Sequence, residues 1–420
     1  MNYFNYVEDI LHCEEIPVAE IAREVGTPLY LYSHKTLVRH FRVFDSAFDD
    51  IPHIVCFSVK ANSNIAILNV LAREGAGVDI VSGGELYRAL RAGCDPRKIV
   101  YSGVGKRIDE IDYALSQGIL MFNVESGQEL EVINDRAGAL GTRAPISLRV
   151  NPDVDPQTHP HISTGLKQNK FGIDIDKSLG EYRRAQTLEH VDIVGVDCHI
   201  GSQITKISPF IDTLERLTTL IHTLRGEGIE ISYLDLGGGL GITYDRETPP
   251  HPTDYAGAIR ERAQALDCTL IFEPGRVIAG NAGILVTRVL YTKDKDDKNF
   301  IIVDAGMNDL MRPSLYDSYH GVKPVVRQGR DRTVSDIVGP ICESGDFLVK
   351  DRMVERYKRG ELIAVMSSGA YGFSMSSNYN SRPRVAEVLV QDDRYHVIRK
   401  RESYDDVVRG EEIPEDITGT

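Results

Sequence analysis

An alternation constrains this chain more than any other feature. Short apolar runs recur at 54–59 (IVCFSV), 77–82 (GVDIVS), 98–102 (KIVYS), 120–124 (LMFNV), 146–150 (ISLRV), 191–200 (VDIVGVDCHI), 232–236 (SYLDL) and 269–273 (TLIFE), and helical patterns fill most of the gaps. Strands that are apolar on consecutive positions are buried on both faces, and such strands alternating with helices make a parallel sheet. The clearest helix has Ser208 as N-cap, Pro209 at the first helical position, and Phe210, Leu214, Leu217, Ile221 and Leu224 on one face. Another has Ser33 as N-cap with Leu37, Phe41, Phe44 and Phe48 at helical spacing. Eight such units in about 250 residues suit a closed (β/α)8 TIM-like barrel, and the rival is an open doubly wound sheet.

After residue 280 the texture changes. ILVTRVLY, NFIIVDAG, RTVSDIVG, GDFLVK, ELIAVMSS, RVAEVLV and RYHVIR follow one another with few helical gaps, as in a mainly antiparallel β domain of the barrel or sandwich kind. The early run TPLYLYS at 27–33 precedes the repeat and is assigned to that domain. The expected division is therefore a barrel over 33–281 and a β domain from 1–32 plus 282–420. KDKDDKN at 293–299 reads as a solvated hairpin tip, and the acidic tail after Arg409 as disordered.

Composition narrows the function. With 48 Lys+Arg against 62 Asp+Glu the formal net charge is 48 − 62 = −14, which argues against nucleic acid or an anionic membrane as main partner. No apolar run approaches the ~20 residues that cross a bilayer, and MNYFNYVEDI lacks the basic start of a secretory signal. The six cysteines show no C-x-x-C pair; Cys56, Cys198 and Cys268 sit in apolar runs as small core residues, so a cytoplasmic location is expected.

Polar residues and glycines gather just after the β runs: Lys60, Asp79, Ser82, Arg149, Asn151, His199, Ser202, Gly237, Gly238, Gly239, Glu273, Gly275 and Arg276. In a barrel these lie on one rim, where active sites are built. Glycines at 237–239 let backbone N–H groups approach an anion. They are no dinucleotide fingerprint, since position 242 is Ile242. GVGK at 103–106 is no nucleotide loop, since Val100 and Arg107 stand where a glycine and a hydroxyl are needed. The loops after the seventh and eighth strands often bind phosphate in barrels, and here they are the triglycine and Gly275–Arg276. Lys60 closes an apolar strand. Alone it reads as a lysine reaching solvent. Beside a phosphate site and a carboxylate at Glu273 able to hold a protonated pyridine nitrogen, it reads as the amine that carries pyridoxal 5'-phosphate as a Schiff base. His199 could stack on the cofactor, or could be a hydrogen-bonded histidine under a loop. His159 and His161 form an H-x-H pair without further ligands at metal spacing, so no metal is expected.

The motifs FSVKANSN (57–64), VDIVSGGEL (78–86), STGLKQNKFGI (163–173), HIGSQI (199–204), DLGGGLGI (235–242), EPGR (273–276), RPSLYDSYH (312–320), CESGD (342–346) and GAYGFSMSSNYNSRPR (369–384) span nearly the whole chain. Together they resemble the fold-type-III pyridoxal-phosphate decarboxylases, in particular the members acting on diaminopimelate. The resemblance implies an alanine-racemase-like barrel, a C-terminal β domain and a homodimer with shared active sites. It implies that Lys60 carries the cofactor, that Gly238, Gly239 and Gly275–Arg276 hold its phosphate with Ser202 in support, that Glu273 pairs with the pyridine nitrogen, and that Tyr371 lies near the phosphate. Arg276, Arg312, Tyr316, Glu343 and Tyr371 would meet the substrate. Cys342, reaching the partner chain's cofactor with Glu343, would protonate the carbon that loses CO2. The reaction so implied converts meso-2,6-diaminopimelate to L-lysine.

The residues also bear on the substrate, a small amino acid. Diaminopimelate presents an ammonium and a carboxylate at its far end. Arg276 and Arg312 offer bidentate carboxylate recognition and Glu343 an acceptor for the ammonium. An ornithine site would leave a buried arginine unpaired. An alanine racemase-like enzyme would place an arginine at the pyridine nitrogen, and a small non-catalytic cofactor-binding barrel would lack the β domain.

Overall fold

The computed structural model describes residues 2–155, 170–295 and 298–414. His159, His161 and residues 163–169 of the STGLKQNKFGI motif lie outside the described residues, as do the last six residues of the acidic tail. The chain divides into two compact units, Thr36–Asn281 and Met1–Lys35 with Ala282–Thr420.

Among the described residues, eight strands build the barrel of the first unit: β1 (His53–Ser58), β2 (Gly77–Ile80), β3 (Ile99–Tyr101), β4 (Met121–Val124), β5 (Ala144–Asn151), β6 (Val191–Asp197), β7 (Tyr233–Asp235) and β8 (Thr269–Phe272), and the two-residue strand Ile173–Asp174 adds to β5. All neighbours pair in parallel, β8 with β1 through Leu270↔His53 and β4 with β5 through Phe122↔Ile146. The β4–β5 pairing closes the ring, so the sheet is a barrel and not an open doubly wound sheet.

Strand-to-helix turns are set by short polar caps. Asn64 accepts from Ala66 N–H, Ser82 from Glu85 N–H and Ser126 from Glu129 N–H, each satisfying a donor that the helix itself leaves open. One expected cap differs. The helix Ser208–Gly226 begins with Ser208 already helical and Ile207 as cap, because Pro209 fits the first turn without needing a side-chain cap. Ser33 stands directly before the helix His34–Asp45, in the position expected of its cap, and its hydroxyl donates to Glu14 at 2.7 Å.

Side chains two apart on a strand share a face. Cys56, Val100, Met121 and Ile271 form a buried apolar cluster inside the barrel. Two residues further along the same strands come Ser58, Ser102, Asn123 and Glu273, all buried. With Asp79, Ser147, Arg149, Asp197 and Asp235 they form a polar layer on the apolar one, toward the C-terminal strand ends. Barrel interiors are otherwise packed by branched apolar side chains, so this layer marks the end that carries chemistry.

The second unit is a nine-stranded, mainly antiparallel sheet. Its longest strand, Gly283–Lys295, pairs antiparallel with Leu29–Ser33, Lys298–Val303 and Leu362–Val365. Pairing with Lys298–Val303 runs to Lys295↔Lys298; residues 296–297 of the expected hairpin tip lie outside the described ones. Parallel pairing occurs at Leu29–Ser33 with Ala386–Gln391, and at Lys298–Val303 with Arg332–Val338. Leu29, Leu31, Ile284, Val286, Val388 and Val390 are core. A three-stranded sheet over Phe4–Pro17 and the helix Val18–Val25, which adds Ile21 and Ala22 to that core, have no counterpart in the sequence reading.

Candidate active site

In the barrel unit, Lys60 sits in a single 3-10 turn, Val59–Ala61, directly after β1. Its Nζ donates to Asp79 Oδ2 on β2 at 2.6 Å. Asp79 is fully buried, and its Oδ2 also accepts from Ser58 Oγ at 3.0 Å. Ser58 Oγ lies 2.9 Å from the Glu273 carbonyl oxygen as well, so one serine ties the partner of Lys60 to the end of β8.

Glu273 is buried, 3 % exposed, with Oε1 accepting from Ser102 Oγ at 3.2 Å and from Asn123 Nδ2 at 3.4 Å. Burial pushes its carboxyl well above the usual range; the charges of Asp235 and Asp79 add to this, and Lys60 and Arg149 oppose it. Asp197, Asp235 and Glu273 bring carboxylate oxygens within 4.8 Å of one another, and all three are pushed up chiefly by burial. This pocket is short of positive charge, since Lys60 pairs with Asp79 and Arg149 with Glu125 at 2.7 Å. A protonated pyridine nitrogen would supply the charge.

The glycines wall the other side. The Gly238 N–H donates to His199 Nδ1 at 3.1 Å. Burial, with Arg149 and Lys60 behind it, holds the imidazole well below its ordinary pKa. The ring is therefore neutral, and with Nδ1 accepting, its proton is on Nε2. A Cβ on Gly238 would lie 2.3 Å from the Glu273 carbonyl oxygen; one on Gly239, at φ +112°, would lie 2.6 Å from the Gly201 carbonyl oxygen. Only glycine permits so close an approach of backbone to backbone, and it leaves the loop's main chain unscreened by side chains. Gly275 is as tightly set, 2.9 Å from Ala61 Cβ by the same measure. Arg276, buried, donates to Ser202 Oγ at 2.9 Å and to the Tyr244 hydroxyl at 2.8 Å. Lys60, His199, Ser202, Gly238, Gly239, Glu273, Gly275 and Arg276 thus share one barrel mouth. A basic amine, a glycine loop with exposed main chain beside a buried arginine, and an acid at the far end fit pyridoxal phosphate.

Sequence reasoning passed over Ser58, Ser102, Asn123, Ser147, Asp197, Asp235 and Tyr244. The signal for all but the last was a single polar residue near the end of each apolar run. Tyr244 lies in the loop after β7, where the Glu247 carboxylate accepts from the N–H groups of Tyr244 and Asp245. Lys106 of GVGK is internal: its Nζ donates to the carbonyls of Gly103 and Asn123 and to Glu129.

The other predicted residues belong to the second unit. Arg312, buried, starts the short helix Arg312–Tyr316 and donates to Ser318 Oγ at 3.2 Å; Tyr316 ends that helix. Cys342 is exposed, with its N–H on Asn380 Oδ1 at 2.8 Å. The Glu343 carboxylate faces Tyr379 and pushes its hydroxyl above the ordinary pKa. Asp346 pins this loop through the N–H groups of Ile341 and Met307. Ser314 Oγ donates to the Gly345 carbonyl at 2.5 Å, which fastens the Arg312 helix to the Cys342–Glu343 loop. Tyr371 holds a left-handed conformation, φ 55°, in the segment after the strand Leu362–Val365.

Residues 34–280 match the pyridoxal-binding domain of the pyridoxal-dependent decarboxylases. Diaminopimelate decarboxylase of Vibrio cholerae is 55% identical over 405 residues, which is 96% of this chain and 97% of that one. The chain belongs to the diaminopimelate decarboxylases. The Aquifex aeolicus member is 52% identical over 97% of this chain and 96% of its own. Among solved structures, the Helicobacter pylori diaminopimelate decarboxylase complexed with L-lysine has TM-score 0.90 at 43% identity, covering 93% of this chain and 98% of that one. The M. jannaschii diaminopimelate decarboxylase, also in complex with L-lysine, reaches TM-score 0.94 at 38% identity and 98% of both chains. Like other members of this family of carboxy-lyases, the chain is a pyridoxal-phosphate enzyme.

Proposed function

We propose that this chain decarboxylates meso-2,6-diaminopimelate at its D-centre, giving L-lysine and CO2, the last step of lysine biosynthesis. The observation that carries this is the meeting of a lysine amine, a glycine loop and a buried acid in one barrel mouth, in a chain related over nearly its full length to diaminopimelate decarboxylases. Pyridoxal phosphate, when bound, supplies an electron sink for the pair left behind as the Cα–carboxylate bond breaks.

Within this reading Lys60 Nζ holds the cofactor covalently, and Asp79 keeps that nitrogen aimed. The backbone of Gly238, Gly239 and Gly275, with Ser202, Arg276 and Tyr371, receives the phosphate. The neutral His199 ring flanks the cofactor, and Glu273 holds the proton at the pyridine nitrogen. Arg312 takes the distal carboxylate, with Arg276, Tyr316 and Tyr371 beside the substrate, and Glu343 takes the distal ammonium. The Ser314–Gly345 bond orders the loop that carries Cys342 and Glu343. Cys342 delivers a proton to the carbon that has lost CO2. The same proposal takes the working enzyme as a homodimer in which Cys342 and Glu343 serve the partner's barrel. It also places the enzyme in the cytoplasm, which suits six free thiols. No helix among the described residues is long and apolar enough to cross a membrane.

The test is CO2 release from meso-diaminopimelate, ornithine and arginine at equal concentration. Diaminopimelate should be turned over fastest, with L-lysine as product. Faster release from ornithine or arginine refutes the substrate.

A further inference from the structure

We infer that Asn123 is a positioning residue that sets the Glu273 carboxyl and the Gly237–Gly239 loop in one register through a closed ring of hydrogen bonds. The inference rests on the reading that Glu273 faces the cofactor's pyridine nitrogen.

Asn123 is fully buried on β4, one inward step beyond Met121. Its Oδ1 accepts from Ser147 Oγ at 2.6 Å, which fixes the carboxamide and turns Nδ2 toward the acids. From there Nδ2 reaches Ser102 Oγ at 3.0 Å, Asp235 Oδ2 at 3.3 Å and Glu273 Oε1 at 3.4 Å. Ser102 passes the contact on, donating to Glu273 Oε1 at 3.2 Å. On the far side Asp235 Oδ1 accepts from the Gly237 N–H at 2.8 Å, and the Gly237 carbonyl accepts from the Glu273 N–H at 2.8 Å. The ring runs from the Glu273 side chain through Asn123, Asp235 and Gly237 back to the Glu273 main chain.

Charge explains why an amide occupies the centre. Three carboxyl groups crowd within 4.8 Å, and Asp197 Oδ1 finds no hydrogen-bond donor. A carboxylate at position 123 would add a fourth acid, and an apolar residue would leave Asp235 Oδ2 and Glu273 Oε1 short of a donor in a dry interior. A carboxamide donates to both sides and adds no charge. The plain alternative is that Asn123 only fills space between strands. A near-isosteric change separates the two, because Asn123→Asp keeps the volume and replaces the amide's two N–H donors by at most one O–H.

The experiment compares wild type, Asn123→Ala, Asn123→Asp and Glu273→Gln. Far-UV circular dichroism checks the fold. Apoenzyme is titrated with pyridoxal phosphate by visible absorbance, and kcat and KM for meso-diaminopimelate are measured on the loaded enzyme. Both Asn123 variants should raise the Kd for pyridoxal phosphate about tenfold or more and lower kcat more than they change KM. An Asn123→Asp enzyme within about twofold of wild type in both Kd and kcat overturns the inference. If neither Asn123 variant folds, Ser102→Ala decides. It keeps every acid and removes the Ser102 link between Asn123 and Glu273, leaving only their 3.4 Å contact, so a fall in the same direction supports the inference and wild-type values overturn it. A wild-type kcat in Glu273→Gln refutes the pyridine-nitrogen reading, while the Kd arm still decides whether Asn123 holds the phosphate loop. Loss of kcat in Glu273→Gln beside unchanged Asn123 variants sinks this inference alone.

Discussion

Single residues in this protein are placed against their intrinsic preferences where structure demands it. Asp309 is 2 % exposed in the β unit, with Gly306 N–H on Oδ2 and Asn308 Nδ2 on Oδ1. Burial raises its pKa from 3.8 to about 7; Asp304 adds to this, while the Gly306 bond, Arg382 and Arg401 oppose it. Between those two values the folded chain keeps a proton that the unfolded chain has released. Stability is therefore highest below the unfolded value and falls as pH rises through about 7, by at most about 4 kcal/mol. Asp309→Asn removes that loss, and Asn308 can turn its buried, undonated Oδ1 toward the new amide. The variant should melt higher than wild type at pH 8 and show no advantage at pH 4, as followed by circular dichroism. Equal differences at both pH values refute the assignment. Residues of this kind are hard to read in a sequence, because nothing local distinguishes Asp309 from an exposed loop aspartate. Lys60, Glu273 and Arg276 were legible because each stands directly after an apolar strand. The same rule would have found Ser102, Asn123, Asp197 and Asp235. They were missed because a lone serine, asparagine or aspartate at a strand end is ordinary, and only the closed ring brings them together.

At the scale of elements, all eight barrel strands fall within one to three residues of the runs that announced them. The runs overshoot because apolar side chains continue into the turns after the backbone ladder has ended. The segment 4–25 was illegible for the opposite reason. Its strands are two to four residues long and too short to show a period, and its helix is eight residues. Glycines mark where loops touch backbone, and the effect of an added methyl depends on what it meets. Gly238→Ala would drive Cβ to 2.3 Å from the Glu273 carbonyl, so the loop after β7 must move. We expect a loss of about 1–3 kcal/mol in stability, together with weaker pyridoxal-phosphate binding. Gly257→Ala is the contrasting case. It lies on the exposed face of the helix Pro252–Ala265 with nothing near its Cβ, and should gain about 0.5–1 kcal/mol. Thermal unfolding of the two variants should shift in opposite directions. A Gly238→Ala protein that melts and binds cofactor like wild type would show that the loop is not held where the structure has it.

At the scale of the whole molecule, the proposed site residues divide between the two units. Lys60, His199, Ser202, Glu273 and Arg276 lie in the barrel unit, and Arg312, Tyr316, Cys342, Glu343 and Tyr371 in the β unit. Cys342 differs from the other five cysteines, which are all buried; it is exposed on a loop that Asp346 and Asn380 hold in place. An ordered loop that displays a thiol and a carboxylate is hard to explain by packing alone. If the working enzyme is a two-fold dimer in which this loop serves the partner's barrel, the geometry has a stoichiometric signature. Lys60→Ala and Cys342→Ala each remove one essential group, so each homodimer is inactive. Mixed under conditions where subunits exchange, about half of the dimers carry one chain of each kind. In such a dimer one site loses both groups and the other keeps both, so about a quarter of the wild-type activity should return. If both groups of a site come from one chain, every mixed dimer is dead at both sites and no activity returns. The measurement is CO2 release after mixing, with exchange verified separately by differently tagged chains. Recovery to about a quarter establishes the shared site, and no recovery with exchange complete places Lys60 and Cys342 of one site on the same chain.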